Sequence, residues 1–214
     1  MLGKAQLAWL EETLARADEA PLVVLVSGVP WITNRKWEPL AGWRKYSRER
    51  QRIANHIHRL GLTSRVVMLS GDAHMVAMDD GRNNRYVTLP DAPERGFPVI
   101  QAAPLDRKTS RKGGPSSLGV SRERGQFGLL EVEDDGEVLT ARPELHGPRP
   151  RARPTALPSC PELPESSQRS GVFRYPREST VLRRSTMIGT AGGTRWSFAM
   201  KFRIIVRWVP STVW

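Results

Sequence analysis

Hydrophobic and polar positions follow helical and strand periods over the first two thirds of the chain, and the pattern then lapses. Leu7, Leu10 and Leu14 recur three and four residues apart, which predicts an amphipathic helix over residues 4–17. Pro21 opens an apolar run at residues 22–26, of the kind found in strands covered on both faces. Residues 28–46 are rich in Gly, Pro and Trp and read as a loop. Ser47 is the candidate N-cap of a second helix, with Ile53, Ile57 and Leu60 as its buried stripe and Gly61 as its stop. Residues 65–70 form a second apolar strand. Helix, strand, helix, strand with short links predicts an α/β arrangement with parallel neighbours.

After residue 74 the reading turns to antiparallel strands. Residues 75–78 run into the turn Asp79-Asp80-Gly81, and residues 97–103, 125–133 and 138–142 read as strands. Asp134-Asp135-Gly136 joins the last two as a hairpin signal. From about His146 proline recurs every few residues and removes backbone donors. The stretch to about Ser197 lacks periodicity and reads as disordered. Phe202, Ile204, Val206 and Trp208 then alternate with Arg203, Ile205 and Arg207, which predicts one further strand.

Charge divides the chain at the same place. The net balance is +11, yet residues 147–214 hold twelve of the Lys and Arg against three of the Asp and Glu. Residues 1–146 hold 21 against 19, so the body is nearly neutral and the tail sets the basic balance. The expectation is a domain over residues 1–146 and a basic, Arg/Pro-rich tail over residues 147–214. Text of that kind is also what a shifted reading of GC-rich coding DNA gives, so whether the tail is native coding sequence stays open. The lone Cys160 excludes an internal disulfide. No segment has the layout of a signal peptide, and the longest apolar run is too short to span a bilayer. A cytoplasmic chain with no membrane partner is expected as the sequence is written.

The candidate chemistry sits at Gly71-Asp72-Ala73-His74, just past the second apolar strand, where open α/β sheets place their ligands. A carboxylate and an imidazole two residues apart on a tight turn can share a metal ion. The alternative is a strand-end turn with a satisfied histidine. Lys108, Arg111 and Lys112 lead into Gly113-Gly114, either a phosphate-cradling loop or a solvated turn. His56 and His58 are two apart on a helix and cannot join at one metal. No Ser-His-Asp or Cys-His arrangement is legible. The tail could neutralise nucleic-acid phosphates, but it has no recognised motif and a single lysine, so nucleic acid is not the expected partner.

Several motifs, taken in order, carry a family resemblance. They are Leu2-Gly3 with residues 6–10, Val29-Pro30-Trp31, Trp43, Tyr46, Glu49-Arg50, residues 71–74, Phe97-Pro98-Val99, residues 102–107, residues 112–115 and residues 125–132. Together they resemble the second half of the PhoD-like alkaline phosphatase family, of the calcineurin-like metallophosphatase superfamily, over residues 1 to about 146. The resemblance implies an α/β fold, the C-terminal half of a two-sheet α/β/β/α sandwich. It also implies phosphoester hydrolysis with divalent or trivalent metal ions, such as Ca or Fe, in a centre of two or more metals. Asp72 and His74 are implied as metal ligands and catalytic residues, and Arg107 and Lys112 as stabilisers of negative charge. Trp31, Tyr46 and Asp106 are implied at the substrate entrance, with loop packing as the alternative for the aromatics.

In the family most ligands come from the N-terminal half. The expectation is therefore an N-terminally truncated portion, inactive alone, whose partners are a phosphoester substrate and the missing half of the same domain. A non-catalytic remnant, or a nucleic-acid-associated protein acting through its tail, are the alternatives. One departure stands out: Ala41-Gly42 occupies the place where the family usually has an acidic residue before the tryptophan at position 43.

Overall fold

In a computed structural model, the described residues are 1–17, 19–33, 42–102, 108, 110, 112–134 and 138–147, with short strands at 168–170, 173–176, 188–190 and 202–208. The order is α1 (Gly3–Ala15), β1 (Val23–Ser27), a 3-10 turn (Gly42–Arg44), α2 (Ser47–Arg59), β2 (Val66–Ser70), β3 (Val76–Asp79), β4 (Val99–Gln101) and β5 (Val120–Ser121). There follow β6 (Phe127–Asp134), β7 (Val138–His146), β8 (Gln168–Ser170), β9 (Phe173–Pro176), β10 (Ile188–Thr190) and β11 (Phe202–Trp208).

Two sheets result. The first has the order β10-β1-β2-β4-β3-β5. Its strands β10, β1, β2 and β4 run parallel, and β3 runs antiparallel to both of its neighbours, β4 and β5. The second is built on the β6–β7 hairpin, with β11 beside β6 and both β8 and β9 on β7. The predicted parallel pairing of the first two strands and the predicted hairpin are both present.

Alternation along the strands explains the layering. Val23, Leu25, Val66, Met68 and Val99 share one core with Leu7, Leu10 and Leu14 of α1 and Ile53 and Ile57 of α2. The intervening residues Val67, Leu69 and Ile100 share a second core with Leu130, Val132, Leu139, Ala141 and Leu145 of the hairpin. Hence β1 and β2 are apolar up to their terminal serines: one face meets helices and the other meets a sheet. Among the described residues no helix covers the far side of the second sheet, so the outer layer of the expected sandwich is not seen.

The second helix ends in a Schellman motif. Gly61, at φ 66°, donates to the His58 carbonyl (2.9 Å), and the Leu62 N–H reaches the Ile57 carbonyl (3.0 Å). Its start differs from expectation: Ser47 is the first helical residue and Tyr46 is the cap, with no side-chain cap bond. Two further boundaries differ. The fourth strand is only Val99–Gln101, and β7 continues past Arg142 to His146. The stretch read as disordered contains β8, β9 and β10. The alternating segment at the end forms β11, as its pattern predicts.

The turn after β3 is fixed by its two aspartates. The buried Asp79 carboxylate accepts from the N–H groups of Gly81, Asn83 and Ser117 and from the Asn83 amide. Burial alone would raise the Asp80 pKa; the Ser117 hydroxyl, the Arg82 N–H and the Arg82 and Arg95 cations outweigh it and hold it below its ordinary value. A depressed folded pKa means stability present above the unfolded value and lost as pH falls through the folded one. Acid titration of unfolding free energy should show this loss below about pH 4. Asp80→Asn should flatten that limb, and an unchanged limb would contradict the assignment. No helix among the described residues is long and apolar enough to cross a membrane.

Candidate active site

Three parallel strands end level with one another. Ser27 pairs with Ser70 across β1 and β2, and Ser70 with Gln101 across β2 and β4. Their carboxyl edge is where an α/β sheet binds ligands. The chain leaves β2 through Gly71, whose N–H donates to the Ser27 carbonyl (3.2 Å). Asp72 and His74 then both adopt left-handed backbone, at φ 61° and 56°. Asp and His are among the non-glycine residues that enter this region more readily, though at a cost of about 1–3 kcal/mol each. The result is a turn that aims two neighbouring side chains at one space: His74 Nε2 lies 4.0 Å from Asp72 Oδ1.

Both groups are only 15–19% exposed, so they are largely shielded from solvent. The Lys112 ammonium lies 3.6 Å from the other Asp72 oxygen, at 38% exposure. The segment carrying it is tied down nearby. The Ser110 hydroxyl donates to the Ala73 carbonyl (2.7 Å) and the Ser110 N–H to the His74 carbonyl (3.2 Å). The Gly114 N–H is spent on the Ile32 carbonyl (2.8 Å), so this amide does not serve a phosphate cradle. Gly113, at φ 89°, passes so close that a Cβ would sit 3.2 Å from the Ile32 carbonyl oxygen and 3.4 Å from Gln101 Oε1. A side chain there would be strained at this φ and would need its neighbours to give by a few tenths of an ångström.

Beneath the loop lies Gln101, 5% exposed, with its Oε1 3.5 Å from the Ser70 hydroxyl and its Nε2 without a partner. Ser27 receives the Trp43 indole N–H (2.9 Å) and donates its own hydroxyl to the Val29 carbonyl (2.8 Å). Both contacts anchor the loop that leaves β1.

The remaining expected site residues fall differently. Trp31 is 1% exposed, ringed by Trp43, Tyr86 and Phe97, with its indole N–H donated to Asn84 Oδ1 (2.7 Å). It has no face to offer a substrate, so its place at the entrance is corrected to packing. Tyr46 is exposed just before α2 and keeps an accessible ring. Asp106 and Arg107 lie outside the described residues, as do Arg111 and Cys160. His56 and His58 do part ways, His56 to the Glu11 carbonyl and His58 to Asp91. The His146 ring stacks on Phe127 at 4.6 Å, and its Nε2 lies 2.9 Å from Glu144 Oε2.

Arg50 supports the site from behind. Its guanidinium lies 3.6 Å over the Tyr86 ring and donates to the Trp31 carbonyl (2.8 Å) and the Thr33 hydroxyl (3.3 Å). Burial draws its pKa below the ordinary arginine value, while the group stays charged. Ser110, Gln101 and Asn84 are the participants that local sequence patterns miss, because each acts across a long separation in the chain.

Asp72 and His74 suit a hard or borderline metal ion as two of its donors, one oxygen and one nitrogen. They do not complete a coordination sphere. No group of three or more His, Cys, Asp or Glu among the described residues could hold an ion.

Such a polar turn lies at the carboxyl edge of an α/β sheet backed by a second sheet, the place where sheets of this class bind ligands. The model of PhoD-like phosphatases matches residues 1–113, more than half of the chain, and the chain belongs to that family. The family is described as one of phosphatases, and it is generally metal-dependent. A solved structure described as "Structure of PhoD" is similar over 89% of this chain, with 16% identity and a TM-score of 0.45. The chain spans 38% of that structure's length. No curated protein matches.

Proposed function

We propose that this chain carries one wall of a metal-dependent phosphoester hydrolase site, with Asp72 and His74 as two of the metal donors. The observation that carries the reading is the paired left-handed backbone, which turns an acid and an imidazole toward each other at a sheet edge within a PhoD-like sequence. Ions bound there would neutralise phosphoryl charge and make a nucleophile from water. The chain's own residues have separate parts. The Asp72 carboxylate and the neutral His74 imidazole bind through Oδ and Nε2. Lys112, already beside Asp72, presents its ammonium to the non-bridging oxygens of the phosphoryl group as charge builds there. Arg107 takes the same role by resemblance, Asp106 contacts substrate by the same resemblance, and Tyr46 borders the entrance.

Two donors fall short of the four or more that a hydrolytic centre takes. The others come from a complementary segment of the same domain, and the chain alone is inactive. Calcium or iron suits the oxygen-rich set that a carboxylate begins.

Mixing the chain with the N-terminal half of a PhoD-like phosphatase, or fusing the two, tests this. Aryl phosphate hydrolysis dependent on added divalent or trivalent ions is expected from the pair and not from either part. A complemented protein that folds, takes up metal and still fails to hydrolyse any aryl mono- or diester would overturn the reading.

A further inference from the structure

We infer that Ser110 is a positioning residue for the Asp72–His74 pair. The two side chains share one space only because residues 72 and 74 are both left-handed, and neither is glycine. Such a turn lies above the ordinary backbone minima and persists only where its surroundings over-determine it. One residue makes two of the bonds that do so. Ser110 holds the Ala73 carbonyl through its hydroxyl at 2.7 Å and the His74 carbonyl through its N–H at 3.2 Å. It thereby fixes the peptide on either side of the His74 Cα, and with it the direction of the imidazole.

The side-chain ion pair that also reaches this turn is weaker. The Lys112–Asp72 ion pair is long and partly exposed, a geometry that contributes little. The Ser110 hydroxyl bond is shorter and partly buried. It spans 37 residues of sequence, so it joins the turn to a separate loop rather than to its own neighbours. An uncharged side chain with no part in the chemistry thus decides whether acid and imidazole face each other.

The inference rests on the reading of Asp72 and His74 as the reactive pair, but its test involves neither substrate nor metal. Ser110→Thr and Ser110→Val in the full chain differ by one hydroxyl at nearly constant shape. Nuclear magnetic resonance of the labelled proteins reads the strong intraresidue amide–Hα cross-relaxation of left-handed residues, together with the histidine ring signals. Ser110→Thr should keep the cross-peaks of Asp72 and His74. Ser110→Val should lose both and shift the His74 ring, while the other histidines stay in place. A hydroxyl that merely stabilised the fold would not move these signals selectively.

Retention of both cross-peaks in Ser110→Val, or their loss in Ser110→Thr, overturns the inference. Should Ser110→Val fail to fold, Ser110→Ala adds no bulk and is read in the same way. Absence of the two cross-peaks in the unaltered protein overturns it outright. Failed hydrolysis in the complemented enzyme would sink the phosphatase reading and leave this result standing.

Discussion

Asp72→Asn in the complemented protein should lower kcat/KM for an aryl phosphate at least about a hundredfold. Groups one step removed from a metal already cost about 10–100-fold when lost, so a direct ligand sets the upper end as a floor. At 25 °C that is about 2.7 kcal/mol of lost transition-state stabilisation. Asparagine is the informative replacement because it keeps the size of the side chain and tolerates left-handed backbone. The turn at φ 61° is then preserved while the charge is removed. His74→Asn does the same at the second position. Both variants should melt within a few degrees of the parent, and both should need more metal for half-maximal rate. Activity within threefold of the parent, in a protein that still needs metal, would remove Asp72 from the site.

Trp31→Ala should cost about 3–5 kcal/mol, the range for emptying an aromatic position in a core. The indole packs edge-on to Trp43 at 5.0 Å and to Tyr86 at 6.0 Å, and lies 5.8 Å from Phe97. Its loss opens a void among large rings and takes from the buried Asn84 Oδ1 the indole N–H that reaches it at 2.7 Å. Domains are commonly stable by about 5–15 kcal/mol, so such a loss takes a large share of the whole. Trp31→Phe separates the two effects: it fills most of the void and removes only the donor, for about 1–3 kcal/mol. Urea unfolding followed by circular dichroism measures both. A Trp31→Ala midpoint shift worth under about 1 kcal/mol would show that the tryptophan is not the keystone its burial implies.

Much of the first sheet was legible because its strands are apolar on both faces and its helices carry regular stripes. Those patterns report burial, and burial here follows the layers. Ser47 was misplaced because helix starts depend on the backbone of the preceding residue, which composition does not record; Tyr46 takes that place without a side-chain bond. The length of β7 was missed because Pro143 and His146 do not look like strand residues, although Pro143 pairs opposite Leu130 in the ladder. Strands β8 and β10, three residues each, are too short to show a period.

The turn that carries Asp72 and His74 was legible from its position after an apolar strand. Their left-handed backbone was not, since nothing but glycine announces it in a sequence. Ser110 and Gln101 were missed for a topological reason: they meet the turn only after β2 and β4 come together. Trp31 was drawn into the site by its neighbours in the motif, whereas its size and apolarity fitted it for the interior.

The outer border of β1 has a consequence for how a second piece of the domain would join. On one side β1 is zipped to β2 over its full length, from Val23 to Ser27. On the other, only Leu25, Val26 and Ser27 are matched, by a three-residue strand that returns from far along the chain. A seam so short, closed by so distant a segment, has few ladder bonds to lose to an incoming strand. On the proposed reading, a complementary half that paired along β1 would take this row by exchange, with Ile188–Thr190 peeled away.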